Sequence, residues 1–424
     1  MTDQELAHRR AIEALRAGVP NRDAVRALGC SQPHIEEKFR EQLLVCSENA
    51  AKGKQAHGMI VAGDFGSGKS HLLEHLHHLA LEQNYISSKI VISKETPLYD
   101  PTKFYRAAID AAVVPNKQGS ALREITQVLD KADGYPKFYQ HITSDRSEFN
   151  SLFAATLQIY EYVRIKDIDW RDKVISFWSG HKLNVSELKK YLRQSGEGAT
   201  YKIEKISSRE LALQRFKFAS RLMMTAGYSG WILLVDEAEL IGRYSLLQRA
   251  RSYAELARWM GNLKGEIFPG LLAVFTITPD FERDILLEKN DLNKIPARLS
   301  AREQENERLL SAQADCGMRA IQKIENHFKP LDSEQIGAIG EKLREVHSQA
   351  YCWNPPPARY TGESSTSTRL RTYVRAWINQ WDIERLYPNY SAEIQATELQ
   401  QTHTEDPDLE VASEPDEDDE KTQD

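Results

Sequence analysis

The chain has 424 residues, of which 41% are hydrophobic and 28% charged, and its formal net charge is −7. This length and composition predict a soluble globular protein with one large or two medium domains. No run of about 18 apolar residues occurs, which excludes a transmembrane helix, and the polar N-terminus lacks a secretory signal. The four cysteines are scattered without a C-x-x-C pair, so free thiols in a reducing cytosol are expected rather than disulfides or a metal site. We expect a cytoplasmic protein with no membrane contact.

The negative charge is concentrated at the C-terminus. Residues 404–424 hold eleven carboxylates against one lysine, a local balance of −10, so the remainder of the chain is mildly basic at +3. Such a segment has little to bury, and residues 391–424 are predicted to form a disordered acidic tail. Solubility is the role we favour for it over partner docking or DNA mimicry. The basic remainder permits contact with nucleic acid without requiring it.

Residues 1–57 predict an N-terminal helical segment. A short amphipathic helix ends at Gly18 and Pro20, a second covers 22–28 after the N-cap Asn21, and a third covers about 32–51. Short helices in succession are compatible with a helix-turn-helix DNA reader. The same pattern also describes a helical collar in front of the next strand, and we favour the collar.

A glycine-rich motif follows a short buried strand at residues 59–62. Residues 63–70 have the pattern G-x-x-x-x-G-K-S, and apolar residues then recur at helical spacing. In this context the glycines let backbone N–H groups turn inward around phosphates, and the helix N-terminus adds partial positive charge. Lys69 is placed to reach the β- and γ-phosphates, and the Ser70 hydroxyl to bind Mg²⁺. The nucleotide is expected to contact Gly63, Asp64, Phe65, Gly66, Ser67, Gly68, Lys69, Ser70 and His71.

The chain beyond this motif reads as a strand at 89–93, a helix at about 102–112, and then a helical insertion at about 115–220. Aromatic residues of the insertion, such as Trp170, Trp178 and Tyr191, alternate with lysines. That pattern occurs in surfaces that bind single-stranded nucleic acid. A solvated helical face over an ordinary core explains it equally simply, and we favour that interpretation.

Residues 231–239 form a second informative stretch, in which an apolar run ends in Asp236 and Glu237. A buried strand of this kind delivers carboxylates to the rim of a sheet. Asp236 would hold Mg²⁺ opposite Ser70, and Glu237 would polarise the attacking water as general base. An acid at a strand end is common, but its combination with the glycine-rich motif is specific.

Further candidate residues follow in the second half of the chain. Residues 270–280 predict another buried strand, whose terminal Thr278 is a candidate to lie near the γ-phosphate, although threonine is also common in strands for packing alone. The arginines of the preceding helix are expected to be solvated or paired with Glu239 and Glu255. Arg298 or Arg302 is a candidate arginine finger toward a neighbouring subunit, and each is also explained as a surface residue. Residues 329–390 predict a helical lid, whose arginines could lean over the nucleotide.

Several segments together resemble BREX-type phage-defence ATP-binding proteins: residues 10–22, 63–70, 92–98, 234–239 and 244–253. The similarity covers most of residues 10–386. It implies an AAA+-like ATPase, related in outline to replication-initiator ATPases, that forms oligomers and works with other components of a prokaryotic antiviral system. Under this analogy Thr278 resembles the polar sensor on the fourth strand, Arg371 the lid sensor, and Arg298 or Arg302 the finger. The chain after residue 386 is short for a winged-helix domain, so sequence-specific DNA recognition is not expected.

The sequence thus predicts an α/β protein with a P-loop, AAA+-like parallel sheet core at 58–328, flanked by the N-terminal helical segment and the C-terminal lid. The predicted function is Mg²⁺-dependent ATP hydrolysis that drives conformational change in a homo-oligomer. The oligomer would act on DNA or with a DNA-processing partner such as a helicase, methyltransferase or nuclease. Two alternatives remain open, a nucleotide-gated switch or scaffold with little turnover and an ATP-dependent DNA-binding regulator. A small-molecule kinase is a minor third, because Glu237 is better suited to activating water.

Overall fold

The structure is a computed structural model that describes residues 2–18, 21–144, 147–163, 167–194, 196, 201–301, 304–358 and 370–387. The predicted acidic tail at 391–424 and the candidate finger Arg302 lie outside the described residues. None of the helices within these ranges is long and apolar enough to cross a membrane.

A six-stranded sheet forms the centre of the molecule. Its strands are β1 (Met59–Ala62), β2 (Ile86–Val91), β3 (Ala112–Val113), β4 (Trp231–Asp236), β5 (Leu271–Ile277) and β6 (Asn326–His327), arranged in the order β3-β2-β4-β5-β1-β6. All neighbouring pairs are parallel except β2 and β3. The prediction of a parallel sheet is therefore correct for five strands and wrong at one edge, where β3 pairs antiparallel with β2.

The second strand begins earlier than predicted, at Ile86 instead of residue 89. Its first half contains Ser87 and Ser88, which are fully buried. Two consecutive serines in the sequence do not indicate a buried strand. Both hydroxyls have partners: Ser88 accepts a bond of 2.8 Å from the Trp231 indole, and Ser87 lies 2.9 Å from His77. A buried hydroxyl with a partner carries little penalty, which explains how polar residues occupy this strand.

Helices cover both faces of the sheet. The described helices are α1 (Asp3–Ala17), α2 (Arg22–Leu28), α3 (Pro33–Ala51), α4 (Lys69–Glu82), α5 (Pro101–Asp110), α6 (Ala121–Val128), α7 (Tyr135–Thr143), α8 (Ser151–Val163), α9 (Ile168–Trp178), α10 (Val185–Gln194), α11 (Ser208–Thr225), α12 (Leu246–Trp259), α13 (Asp291–Ser300), α14 (Glu305–Gln322), α15 (Ser333–Tyr351) and α16 (Leu370–Leu386), with 3₁₀ turns at Leu129–Lys131 and Ala238–Arg243 and a π-helical segment at Glu282–Glu288. Along β4, Ile232 and Leu234 pack against α3 and α4. Trp231, Leu233 and Val235 face the opposite layer, so the strand's apolar run serves two cores.

The described residues between β3 and β4 are mostly helical. Among them, Trp178 is fully buried and its indole donates a bond of 3.0 Å to Thr156. Trp170 and Tyr191 stack with ring centroids 4.4 Å apart, while Lys189 and Lys190 are exposed. The aromatic residues named here therefore pack among themselves or in the core, as in the interpretation that we favoured over a base-stacking surface.

A third apolar cluster joins the two ends of the chain. Buried residues of α1 and α2 pack with those of α15 and α16, including Ile12, Leu343 and Trp377. Beside it, Arg16 forms an ion pair with Asp382, which lies 3.2 Å from the buried imidazole of His347. The N-terminal helices and the C-terminal helices thus form one unit next to the glycine-rich loop.

His77 on α4 gives the fold a pH dependence that can be measured. Burial, followed by the charge of Lys89, lowers the pKa of His77 to about 4, whereas an unfolded histidine titrates near 6.5. Between these values the unfolded chain binds a proton that the folded protein does not bind. We therefore expect the free energy of unfolding to fall as the pH drops from 6.5 to 4, by up to about 1.4 kcal/mol per pH unit from this residue.

Denaturant unfolding of the wild type and His77→Gln at pH 7 and pH 5 measures this contribution. The variant should lose less stability between the two pH values, because its side chain does not titrate. An identical pH dependence in both proteins would show that His77 does not control it.

Candidate nucleotide-binding site

The glycine-rich loop connects the carboxyl end of β1 to the N-terminus of α4. Gly66 and Gly68 have φ values of 77° and 107°, a region that favours glycine, so the loop can curl around the helix N-terminus. At Gly63 a β-carbon would lie 2.8 Å from the Phe328 ring and 3.0 Å from the Ser67 hydroxyl. The loop therefore needs glycine both for its backbone angles and for its close packing.

Asp236 lies at the end of β4, directly opposite the loop. Its carboxylate accepts a bond of 2.6 Å from the Ser70 hydroxyl, one of 2.5 Å from Thr276, and one of 3.0 Å from the backbone N–H of Glu237. These contacts join the first turn of α4 to the carboxyl ends of β4 and β5. A hydroxyl next to a carboxylate is the kind of donor set that Mg²⁺ takes in proteins, so Ser70 and Asp236 fit this ion.

Three buried side-chain atoms around this point have no hydrogen-bond partner among the described residues: Ser67 Oγ, Thr278 Oγ1 and Glu239 Oε2. Buried polar atoms are normally satisfied in native proteins. A polar ligand bound beside the loop could therefore supply hydrogen-bond partners for these atoms. Thr278, the predicted sensor, follows the last residue of β5 and lies two positions after Thr276.

Glu237 follows Asp236 with a left-handed backbone, φ 59°, which turns the chain away from the strand and leaves the side chain accessible. Partial burial raises the pKa of Glu237, the carboxylates of Asp236 and Glu239 raise it further, and Lys69 and Arg371 lower it. A carboxyl group whose pKa is raised is a better proton acceptor for water than an ordinary glutamate.

Lys69 is buried and points back into the loop. Its Nζ donates to the Gly63 carbonyl at 2.8 Å and forms an ion pair of 3.3 Å with Glu239. The expectation that Glu239 would pair with an arginine of the following helix is wrong. Its 3₁₀ segment turns the side chain toward α4, whereas Arg249 pairs with Asp291 and Arg258 pairs with Glu255.

A cavity of about 310 Å³ lies beside the loop, between the N-terminal helices and the C-terminal helices. Its walls include the backbone of Gly29, the side chains of Leu15 and Val374 and the ring of His71. Burial lowers the pKa of His71, so the ring is neutral and its Nε2–H donates to the Gly29 carbonyl at 2.8 Å. The volume falls in the range of small-molecule sites, about 300–1,000 Å³.

Arg371, the predicted lid sensor, lies at the first turn of α16. Its backbone N–H donates to the Gly66 carbonyl at 3.2 Å, and its guanidinium lies 5.3 Å from the centre of the Phe65 ring. The residue therefore contacts the loop from the C-terminal helices. The sequence suggested that Arg371 could approach the nucleotide from the C-terminal helices, but not its contacts with Phe65 and Gly66, which lie about 300 residues away.

Arg298, a candidate finger, is exposed on α13. The segment that carries Arg298 is helical, since α13 runs from Asp291 to Ser300 with Pro296 inside it. The first turn of α13 is held by Asp291, which is buried with Arg249. The structure thus keeps Arg298 on a firmly anchored helix and away from the contacts that join Lys69, Ser70 and Asp236.

These features define the class of protein. A mostly parallel sheet between helical layers, with a phosphate-type glycine loop at one strand end and an acid at another, is an ATP-binding α/β architecture. The chain matches the family model of the BREX system ATP-binding protein BrxC/D over residues 4–131 and 141–390. The protein therefore belongs to this family, and the resemblance recognised in its sequence is confirmed. A comparison with curated individual proteins gave no match.

Proposed function

We propose that the protein is a Mg²⁺-dependent ATP hydrolase whose site lies at the carboxyl ends of β1, β4 and β5. The observation that carries the proposal is the 2.6 Å contact between Ser70 and Asp236, two groups 166 residues apart. They would hold Mg²⁺, which when bound neutralises charge on the phosphate oxygens. The three unpartnered buried atoms beside them support the same location for the phosphates.

The residues of the chain would divide the work as follows. Lys69 donates to the β- and γ-phosphate oxygens and neutralises their charge. Glu237 orients a water molecule and accepts its proton while the water oxygen attacks the γ-phosphorus and the bond to the β-γ bridging oxygen breaks. Thr278 would hold the water or a γ-phosphate oxygen through its hydroxyl. The adenosine would occupy the cavity lined by Gly29 and His71.

We further propose an AAA+-like assembly. In support, β5 is the fourth parallel strand in chain order and lies between β1 and β4, the position of a strand that carries a polar sensor. Arg371 joins the C-terminal helices to the loop, as a lid residue would. Arg298 is exposed on a helix anchored to the core, where it would complete the site of a neighbouring subunit. Arg302 remains the alternative finger.

Hydrolysis would drive conformational change in a homo-oligomer of a BREX defence system. The oligomer would act on DNA, without sequence preference, or with a partner such as a helicase, methyltransferase or nuclease. The contact between Arg371 and the loop supports the conformational part of this proposal, because a nucleotide between them would bias the position of the C-terminal helices.

Lys69→Ala tests whether nucleotide binding occurs at this loop. We expect its affinity for ATP to fall by about tenfold or more, because hydrogen bonds to a charged group are worth about 1.5–3 kcal/mol. Titration with a fluorescent ATP analogue measures the change, and Lys52→Ala, at an exposed lysine after α3, is the control. Equal affinities would place the nucleotide elsewhere. ATP binding without turnover in the wild type, with or without DNA, would favour the switch or scaffold.

A further inference from the structure

We propose that Glu239 is a latch for Lys69: in the nucleotide-free protein it holds the lysine by an ion pair that ATP must displace. Glu239 is then a positioning residue that sets nucleotide affinity and reports the arrival of the phosphates. This inference rests on the proposed binding of ATP at the loop, but it does not require hydrolysis.

The first observation is the geometry of the lysine. The Lys69 ammonium has three donors, and its partners are the Gly63 carbonyl at 2.8 Å, Glu239 Oε1 at 3.3 Å and the Asp64 carbonyl at 3.5 Å. All three partners belong to the protein, Glu239 is the one that carries a charge, and both side chains of the ion pair are buried. The lysine is therefore already neutralised, and phosphate oxygens compete with a buried carboxylate for it.

The second observation is the state of the carboxylate. Glu239 is only 2% exposed, and its Oε2 has no hydrogen-bond partner in the described part of the protein. Burial raises the pKa of Glu239, and Lys69 is the main group that opposes this shift. A buried carboxylate that loses the cation paired with it is costly, because the charge is left without that compensation. Displacement of Lys69 therefore destabilises the present position of Glu239.

The third observation concerns the part of the protein that would move when Lys69 leaves Glu239. Glu239 lies in the 3₁₀ segment Ala238–Arg243, which leads directly into α12. Glu237, the proposed general base, precedes the same segment. A shift of Glu239 after loss of Lys69 would move this segment and the turn that carries Glu237. The latch thus gives the protein a local route by which the phosphates reposition the acid that activates water.

Glu239→Gln tests the latch. The amide keeps the size of the side chain and removes the charge that competes with the phosphates, so we expect the affinity for the non-hydrolysable analogue adenylyl imidodiphosphate with Mg²⁺ to rise by about tenfold. The same substitution in a Lys69→Met background should then change affinity little, because no lysine remains to be held. A double-mutant cycle of the four proteins gives the coupling directly.

Glu237→Gln is the matched control, since it also removes one negative charge near the phosphates and near Lys69, but Glu237, unlike Glu239, forms no ion pair with this lysine in the described structure. Equal tightening in Glu237→Gln and Glu239→Gln, tightening that persists with Met at position 69, or weaker binding in Glu239→Gln would each overturn the latch. Should Glu239→Gln fail to fold, Glu239→Asp keeps the charge, lengthens the contact and should tighten binding to a smaller degree. Because binding of an analogue is measured, an inactive wild type would refute hydrolysis and leave this test valid.

Discussion

Glu237→Gln should lower the rate of ATP turnover by at least about a hundredfold while ATP binding is retained. The amide has nearly the same shape as the carboxylate but does not accept a proton from water, and loss of a positioned general base costs about 10²- to 10⁴-fold. The environment of Glu237 supports this role, because partial burial and the nearby carboxylates of Asp236 and Glu239 raise its pKa. Phosphate release by purified protein, with and without duplex or single-stranded DNA, measures the rate.

Glu48→Gln is the control for this substitution. Glu48 is exposed in the last turn of α3, well before β1 begins at Met59, and its substitution should leave turnover unchanged. A Glu237→Gln protein that hydrolyses ATP at the wild-type rate would refute the proposed base. A variant that loses ATP binding as well would mean that Glu237 supports the loop instead of the water.

Asp291→Asn should lower the free energy of unfolding by about 3–5 kcal/mol, the cost of leaving a buried charge without its partner. Asp291 is fully buried and accepts two bonds from Arg249, at 2.8 and 2.9 Å, and one of 2.9 Å from the Tyr253 hydroxyl. The amide removes the negative charge while Arg249 remains buried and positive. Denaturant unfolding with an optical probe measures the change.

Asp315→Asn is the corresponding surface control. Asp315 on α14 forms an ion pair of 2.9 Å with Arg319, and the side chains of these residues are 39% and 67% exposed. Such pairs contribute about 0–1 kcal/mol, so its unfolding curve should stay close to that of the wild type. A similar loss of unfolding free energy in the two variants would show that burial does not strengthen the ion pair between Asp291 and Arg249. The same network anchors α13, so Asp291→Asn should also loosen the helix that carries Arg298.

The phosphate loop and the acidic strand end could be predicted because their chemistry fixes residue types at fixed spacings. Glycines at 63, 66 and 68 and a lysine with a hydroxyl at 69 and 70 permit few other interpretations. The strand β4 was predicted correctly because its first five residues, which are buried, are all apolar and lead directly into Asp236. The predicted start of β2 lies three residues too late. Ser87 and Ser88, at the actual start of the strand, are buried through hydrogen bonds that hydropathy does not reveal.

Partners distant in sequence were beyond prediction. The carboxylate of Glu239 can form an ion pair with any cation that lies near it. Because the arginines of α12 are close to Glu239 in sequence, the sequence suggested one of them, which is the wrong partner. Only the three-dimensional arrangement brings it to Lys69. In the same way, Thr276 and Thr278 are two hydroxyls on one face of a strand, and only the packing of β5 against β4 places Thr276 on Asp236.

The sequence by itself determined membership of an ATP-binding family, because phosphate binding requires a local motif and that motif is contiguous. The tertiary structure alone decided what encloses the site. The amphipathic pattern of α1 and α2 showed that one face would be buried, but not that it would pack on α15 and α16 to form a wall of the cavity. Burial of apolar area is non-directional and does not specify a partner, so this choice depends on the shape of the whole chain.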